Sequence, residues 1–291
     1  MSSNRSRVDG PSGVPHDPEQ ADLDSMAARS AGGESGSEGI GGAPPSNTAP
    51  HNSISTLPDG FWLLRLAVDS LYLSYPGDLN PDTLSALNKL KAYAQSDHLE
   101  EQAKAQYPIG THIFEVKDRG AGRFPYVLAN SSYRIQLSKP GKKLPMAYVQ
   151  VSAEYLAHKG PESIGIELQE LLSELGPVST NTVSRIDLAA DFSTPVVMDS
   201  WHRSAWVTRA TEIHSYAKDQ NFTGWTVGMG GVMGCRLYDK VQEMVNTGKS
   251  WVINQWLPKG WKPGESVWRL EFEFKRDLYS RHVNCGPWRR F

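Results

Sequence analysis

Three stretches in the C-terminal half of the chain alternate strictly between polar and apolar positions. In Val183–Phe192, Arg185, Asp187 and Asp191 share one face, while Ile186, Leu188, Ala190 and Phe192 line the other. In Val267–Arg276, Arg269, Glu271, Glu273 and Lys275 alternate with Trp268, Leu270, Phe272 and Phe274. In Cys235–Lys240, Arg236, Tyr238 and Lys240 fall on one side and Leu237 on the other. Alternation with a period of two predicts antiparallel strands with one face on a core. Three such strands in one sheet stack arginines, carboxylates and a tyrosine on a single surface, which is more than solvation needs.

The rest of the pattern fills in a mixed fold. Phe61–Tyr75 reads as one long strand. Asn80-Pro81 opens a helix, with asparagine as cap and proline at the first helical position, and Leu84, Leu87, Leu90 and Ala94 keep its period. Short strand-like runs follow near 111–116, 126–128, 133–137 and 147–152, separated by Gly, Pro and Asn turns. A second helix follows Gly160-Pro161, with Ile164, Leu168, Leu171, Leu172 and Leu175 as its buried stripe, and Gly176-Pro177 stops it. After Pro195 a helix carries Trp201, Ala205 and Trp206, and Met229-Gly-Gly231 reads as a hairpin turn leading into the tyrosine strand. The expected fold class is α+β: one large, twisted, mostly antiparallel sheet with helices on its apolar face and the charged groups on the open face. A strand bearing an aspartate, Asp69 or Asp187, opens each half, which suits a degenerate duplication of a β-α-β type unit.

Composition changes this picture at one end. Residues 1–56 are rich in Gly, Ser and Pro and hold three arginines against seven acids, a net of −4. The whole chain carries −2, so the remainder is +2. The stretch is too poor in apolar residues to fold, and a disordered acidic tail is expected. Residues 57–180 then form the N-terminal half of the main domain and 181–291 its catalytic half. No cationic start followed by an apolar run marks a signal peptide, and no stretch reaches the roughly 20 apolar residues of a membrane span. Two cysteines, Cys235 and Cys285, make no disulfide framework, and the expected location is the cytoplasm.

The candidate chemistry centres on Tyr238. A tyrosine between Arg236 and Lys240 is a potential nucleophile, since nearby positive charge favours the phenolate; an amphipathic tyrosine anchoring a half-buried strand is the plainer alternative. The eight histidines are scattered, without a His-x-His pair, so a metal would rest on carboxylates, whose hard oxygens suit Mg²⁺ or Mn²⁺. Asp187 and Glu271 are the first-choice ligands, with Asp191, Glu273, Glu243 and Asp69 in reserve; each also reads as an ion-pair partner of a neighbouring arginine. Trp251, Trp256 and Trp261, interleaved with Lys249, Lys259 and Lys262, suit stacking on unpaired bases, and equally a loop packed on its own core.

Taken in order, Arg185-Ile-Asp-x-Ala-x-Asp-Phe192, Arg236-x-Tyr-Asp-Lys-x-x-Glu243 and Trp268-Arg-x-Glu-x-x-x-Lys-Arg276 resemble the replication initiation factor family, the rolling-circle initiators of small plasmids and filamentous phages and related relaxases. Leu66–Tyr75 resembles that family's opening strand. The resemblance implies nicking of one origin strand by Tyr238, giving a 5′-phosphotyrosine and a free 3′-OH, with later rejoining. It implies a divalent ion, Mg²⁺ or Mn²⁺, and phosphate contacts from Arg185, Arg236, Arg269 and Lys240. Its partners would be origin DNA, unpaired at the nick, and the host helicase and polymerase; a homodimer stays open, and no membrane is involved. Three alternatives also stay open: a relaxase with the same chemistry, a non-catalytic origin-binding or repressor protein, and a carboxylate-pair hydrolase.

Overall fold

The structure is a computed structural model of the chain, and it describes residues 60–141, 143–198 and 207–278. The expected tail, the Trp201–Trp206 helix, Tyr279 and Cys285 lie outside these residues.

Among the described residues, eleven strands form one antiparallel sheet. In chain order they are β1 (Trp62–Tyr75), β2 (Gln106–Ile109), β3 (His112–Val116), β4 (Tyr126–Ala129), β5 (Tyr133–Leu137), β6 (Ala147–Val151), β7 (Thr182–Ser193), β8 (Ile213–Lys218), β9 (Asn221–Val227), β10 (Met233–Asp239) and β11 (Trp268–Lys275). Between β1 and β7 lie the helices α1 (Pro81–Ala94), α2 (Leu99–Gln102), α3 (Ala153–Lys159) and α4 (Pro161–Leu175). Two more, α5 (Lys240–Thr247) and α6 (Ile253–Trp256), lie between β10 and β11. The α+β architecture expected from the alternation is the one observed.

The sheet order is β2-β3-β4-β5-β6-β1-β7-β11-β10-β9-β8. Read outward from the centre, each half runs first strand, last strand, then backwards through the strands between. The two halves, β1 to α4 and β7 to β11, therefore repeat one topology about the β1–β7 pair.

The main core explains most of the elements. Leu71, Leu73 and Tyr75 of β1 join the inward residues of β3 to β6 beneath Ile164, Leu168 and Leu172 of α4 and Leu87 of α1. This is the face that carries Ile186 of β7, so these helices cover the apolar side of the sheet as the pattern predicts. The residue that follows α4, Gly176, has no room for a Cβ, which would collide with the Asp78 carbonyl oxygen. A second cluster lies elsewhere: Met244, Val252, Trp256 and Trp261 pack on Leu64 and Val267. It roofs one end of the charged face, which the alternation alone left open.

Candidate active site

The registry of the central strands brings the predicted polar positions together. On β11, Arg269 stands opposite Asp191 of β7, Glu273 opposite Asp187, and Lys275 opposite Arg185. On the other side of β11, Arg236 of β10 stands opposite Glu271 and Tyr238 opposite Arg269. Residues directly opposite in an antiparallel pair share a face, so these side chains form one ladder. Lys240 is the first residue of α5 rather than a strand residue, yet its Nζ lies 5.7 Å from the centre of the Tyr238 ring.

The ladder has two ends with different character. At the first, Tyr238 Oη donates to Glu271 Oε2 at 3.0 Å, and Arg236 Nη2 donates to Glu271 Oε1 at 2.5 Å. Arg236 also stands 3.5 Å from both Asp187 Oδ2 and Glu273 Oε2. Arg185 grips Asp187 with both prongs, at 2.9 and 2.7 Å, and reaches Glu273 at 3.0 Å. This end is reachable from solvent: the Arg236 side chain is 37% exposed, although Asp187 is only 1% exposed.

At the second end the charges are sealed. Arg269 spends Nε and Nη2 on Asp191, at 2.5 and 2.9 Å, and Nη1 on Asp69 at 2.8 Å. Asp69 sits at an irregularity of the β1–β7 register and also accepts from Arg65 Nη1 at 3.0 Å. Arg65 continues to Gln255 at 2.6 Å and lies under the Trp251 ring, while Trp256 Nε1 donates to Asp191 at 2.9 Å. With Arg65 Nη1 3.9 Å from Asp191 Oδ2, two arginines and two aspartates close a ring, latched to the roof by α6 and its neighbours. With each of its three nitrogens engaged and its side chain only 1% exposed, Arg269 is out of reach of a phosphate. Trp256 and Trp261 are buried in the roof's own core. Of the three tryptophans offered for base stacking, only Trp251 is partly exposed, and it lies over Arg65.

The electrostatics reverse one expectation. Burial first, and the Glu271 carboxylate second, push the Tyr238 phenol well above its ordinary value of 10. The flanking cations do not favour its phenolate because each is already occupied: Arg236 by Glu271, Asp187 and Glu273, and Lys240 by Glu243 at 2.6 Å. Burial also raises the Glu271 carboxyl against the pull of Arg236, and it lowers the Lys240 amine together with Arg269. At the sealed end, burial would raise Asp69, but Arg269 and Arg65 outweigh it and hold the carboxyl low. Tyr238 therefore rests as a neutral phenol hydrogen-bonded to a carboxylate more basic than usual.

The donor set as it stands does not fit a divalent ion. Asp187 turns both oxygens to Arg185, Glu271 turns its two to Arg236 and Tyr238, and Asp191 turns its two to Arg269. Among the described residues no three His, Cys, Asp or Glu side chains converge on a point where an ion would sit. The ladder balances its own charge: Arg65, Arg185, Arg236, Arg269, Lys240 and Lys275 meet Asp69, Asp187, Asp191, Glu243, Glu271 and Glu273. The sequence pattern does not single out Arg65 or Gln255, and it offers Trp256 for base stacking or core packing rather than as an indole donor to Asp191. Only the spacing of Arg65 and Asp69, which share a strand face, hinted at the first.

No family model matches the chain, and no curated protein matches it. Among solved structures it is similar to the rolling circle replication initiator protein from Geobacillus stearothermophilus. The two align over 74% of this chain and 75% of that one, at 12% identity and a TM-score of 0.37. Similarity this slight leaves the functional reading to the side chains. Among the described residues, no helix is long and apolar enough to cross a membrane.

Proposed function

We propose that this protein nicks and rejoins one strand of DNA through Tyr238, as a rolling-circle replication initiator does. The observation that carries the reading is the Tyr238–Glu271 hydrogen bond, set on a sheet face beside the accessible Arg236. A neutral phenol is a poor nucleophile, and a carboxylate oxygen 3.0 Å from its hydroxyl oxygen is the base that would activate it. Oη would attack phosphorus as its proton passes to Glu271. The bond from phosphorus to the 3′-oxygen would break, and that oxygen would leave as a hydroxyl after taking a proton from water. The product is a 5′-phosphotyrosine, which keeps the bond energy for rejoining. Arg236 and Arg185, at the accessible end, are the residues placed to meet the charge on the non-bridging oxygens. Arg269 and Asp191 would act from beneath, by fixing the strand opposite Tyr238.

The sequence motifs support the same reading, because Tyr238, Glu271 and Asp187 occupy the positions at which this chain resembles the replication initiation factor family. That resemblance implies Mg²⁺ or Mn²⁺, but the carboxylates as placed favour ion-pairing with arginine, and no step is assigned to an ion. One observation favours a second reading. A ladder whose carboxylates and cations satisfy one another needs no substrate to explain it. That suits a non-catalytic origin-binding or repressor protein that meets DNA with another surface, although the chain's near-neutral charge argues against binding driven by phosphate alone. Supercoiled plasmid carrying the cognate origin separates the two. Nicking lost in Tyr238→Phe supports the first, and binding without nicking supports the second.

A further inference from the structure

The sheet face opposite the ladder carries large apolar side chains that nothing in the described residues covers. Leu66 is 70% exposed, Met233 49%, Leu188 43% and Phe272 36%. They are neighbours: Leu188 stands directly across from Phe272, Met233 across from Phe274, and Leu66 beside that row, across from Ala190. The Phe272 and Phe274 rings lie 6.2 Å apart, centre to centre, and nearly parallel. On one side of this strip the α4 layer covers Val183 and Ile186; on the other, Met198 covers Leu237 and Trp268. A contiguous apolar strip between two covered regions marks a docking surface.

We propose that residues 279–291 of this same chain dock on it. The strip includes Phe272 and Phe274 of β11, and the described chain leaves β11 at Lys275 and reaches Leu278. The next 13 residues therefore start at the edge of the strip. At about 3.3 Å per extended residue they span roughly 43 Å, several times the strip's few rows. Their chemistry supplies apolar side chains for it: Tyr279, Val283 and Cys285 fall at alternate positions, with Arg281 among them, and Trp288 and Phe291 follow on either side of Arg289-Arg290. A segment tethered this close meets the strip at a high effective concentration, which a second copy of the chain does not.

The two natural cysteines supply the test. Cys235 stands across from Phe272 on this face, and Cys285 belongs to the segment. Burial pushes the Cys235 thiol up to about 11, so coupling is run in mild alkali. The full-length chain is treated with a short bis-thiosulfonate reagent and the linked peptides are identified by mass spectrometry. The parallel variant Cys235→Ser with Leu188→Cys moves the probe to a more exposed point of the strip. Docking predicts a Cys285 link within one chain from at least one of the two positions, as the main product, with a yield unchanged by tenfold dilution. The yield should be severalfold lower when Trp288→Ser and Phe291→Ser remove apolar side chains and leave the tether intact; a yield that ignores those substitutions would overturn the proposal. Links between two chains would assign the strip to a second copy and overturn the proposal. Cysteines capped singly in both proteins would overturn it as well.

Discussion

At the scale of single residues, the proposed chemistry turns on which group holds the Tyr238 proton. Glu271→Gln keeps the shape of the side chain and removes the base, so nicking should fall by about 10²–10⁴-fold while the protein stays folded. Because Glu271 is the second cause of the raised phenol, an ultraviolet titration of the same variant should show Tyr238 ionising at lower pH than in the parent. A variant that nicks normally would leave Glu271 as an ion-pair partner only. A second titration lies away from the ladder. Burial first, and Lys159 second, hold His112 below its ordinary 6.5, and the ring meets Glu167 at 2.7 Å and Asn130 at 3.3 Å. The unfolded chain then binds a proton that the folded one resists. This contribution to stability is whole above about 6.5 and is lost as pH falls from there through the folded value. Melting curves should show a smaller loss between pH 7.5 and 5.5 for His112→Gln than for the parent; an unchanged loss would show that other groups govern the acid response.

At the scale of elements, the roof over the sealed end is held by polar contacts as much as by its apolar cluster. Asp191→Ala removes one corner of the buried ring and leaves Arg269 without its two-pronged partner, so urea unfolding should show a cost of about 3–5 kcal/mol. A loss under 1 kcal/mol would mean that water replaces the carboxylate readily. The strands beneath were legible because a residue's face follows from its parity: Arg185, Asp187, Asp191, Glu271 and Glu273 could be placed on one surface by counting. The roof was not legible. Trp256 and Asp191 are 65 positions apart, and nothing in Trp251–Trp261 tells a tryptophan that stacks on a base from one that donates its indole N–H to a carboxylate. The state of Tyr238 was hidden for the same reason, since its neighbour Glu271 comes from another strand and outweighs the cations beside it in sequence.

At the scale of the molecule, the doubled topology places β1 and β7 at the centre, and their aspartates and arginines form the floor beneath Tyr238. Residues 1–56, rich in Gly, Ser and Pro, hold too few apolar side chains to add to a core. Removing residues 1–56 should therefore leave the melting temperature and nicking unchanged; a fall of several degrees would make the tail part of the fold. The outward order of the strands was beyond the sequence, because alternation fixes a face but not which strand lies beside which. Asp69 and Asp187 did mark the two opening strands.

The central claim is that Tyr238, among eleven tyrosines, takes the phosphate. The protein is trapped on an oligonucleotide carrying the nick site, digested, and the peptide bearing the DNA remnant is sequenced by mass spectrometry. With trypsin the remnant is expected on the peptide Leu237–Lys240, and no adduct at all is expected from Tyr238→Phe. A remnant on the peptide holding Tyr279, or a Tyr238→Phe protein that still forms an adduct, would contradict the claim.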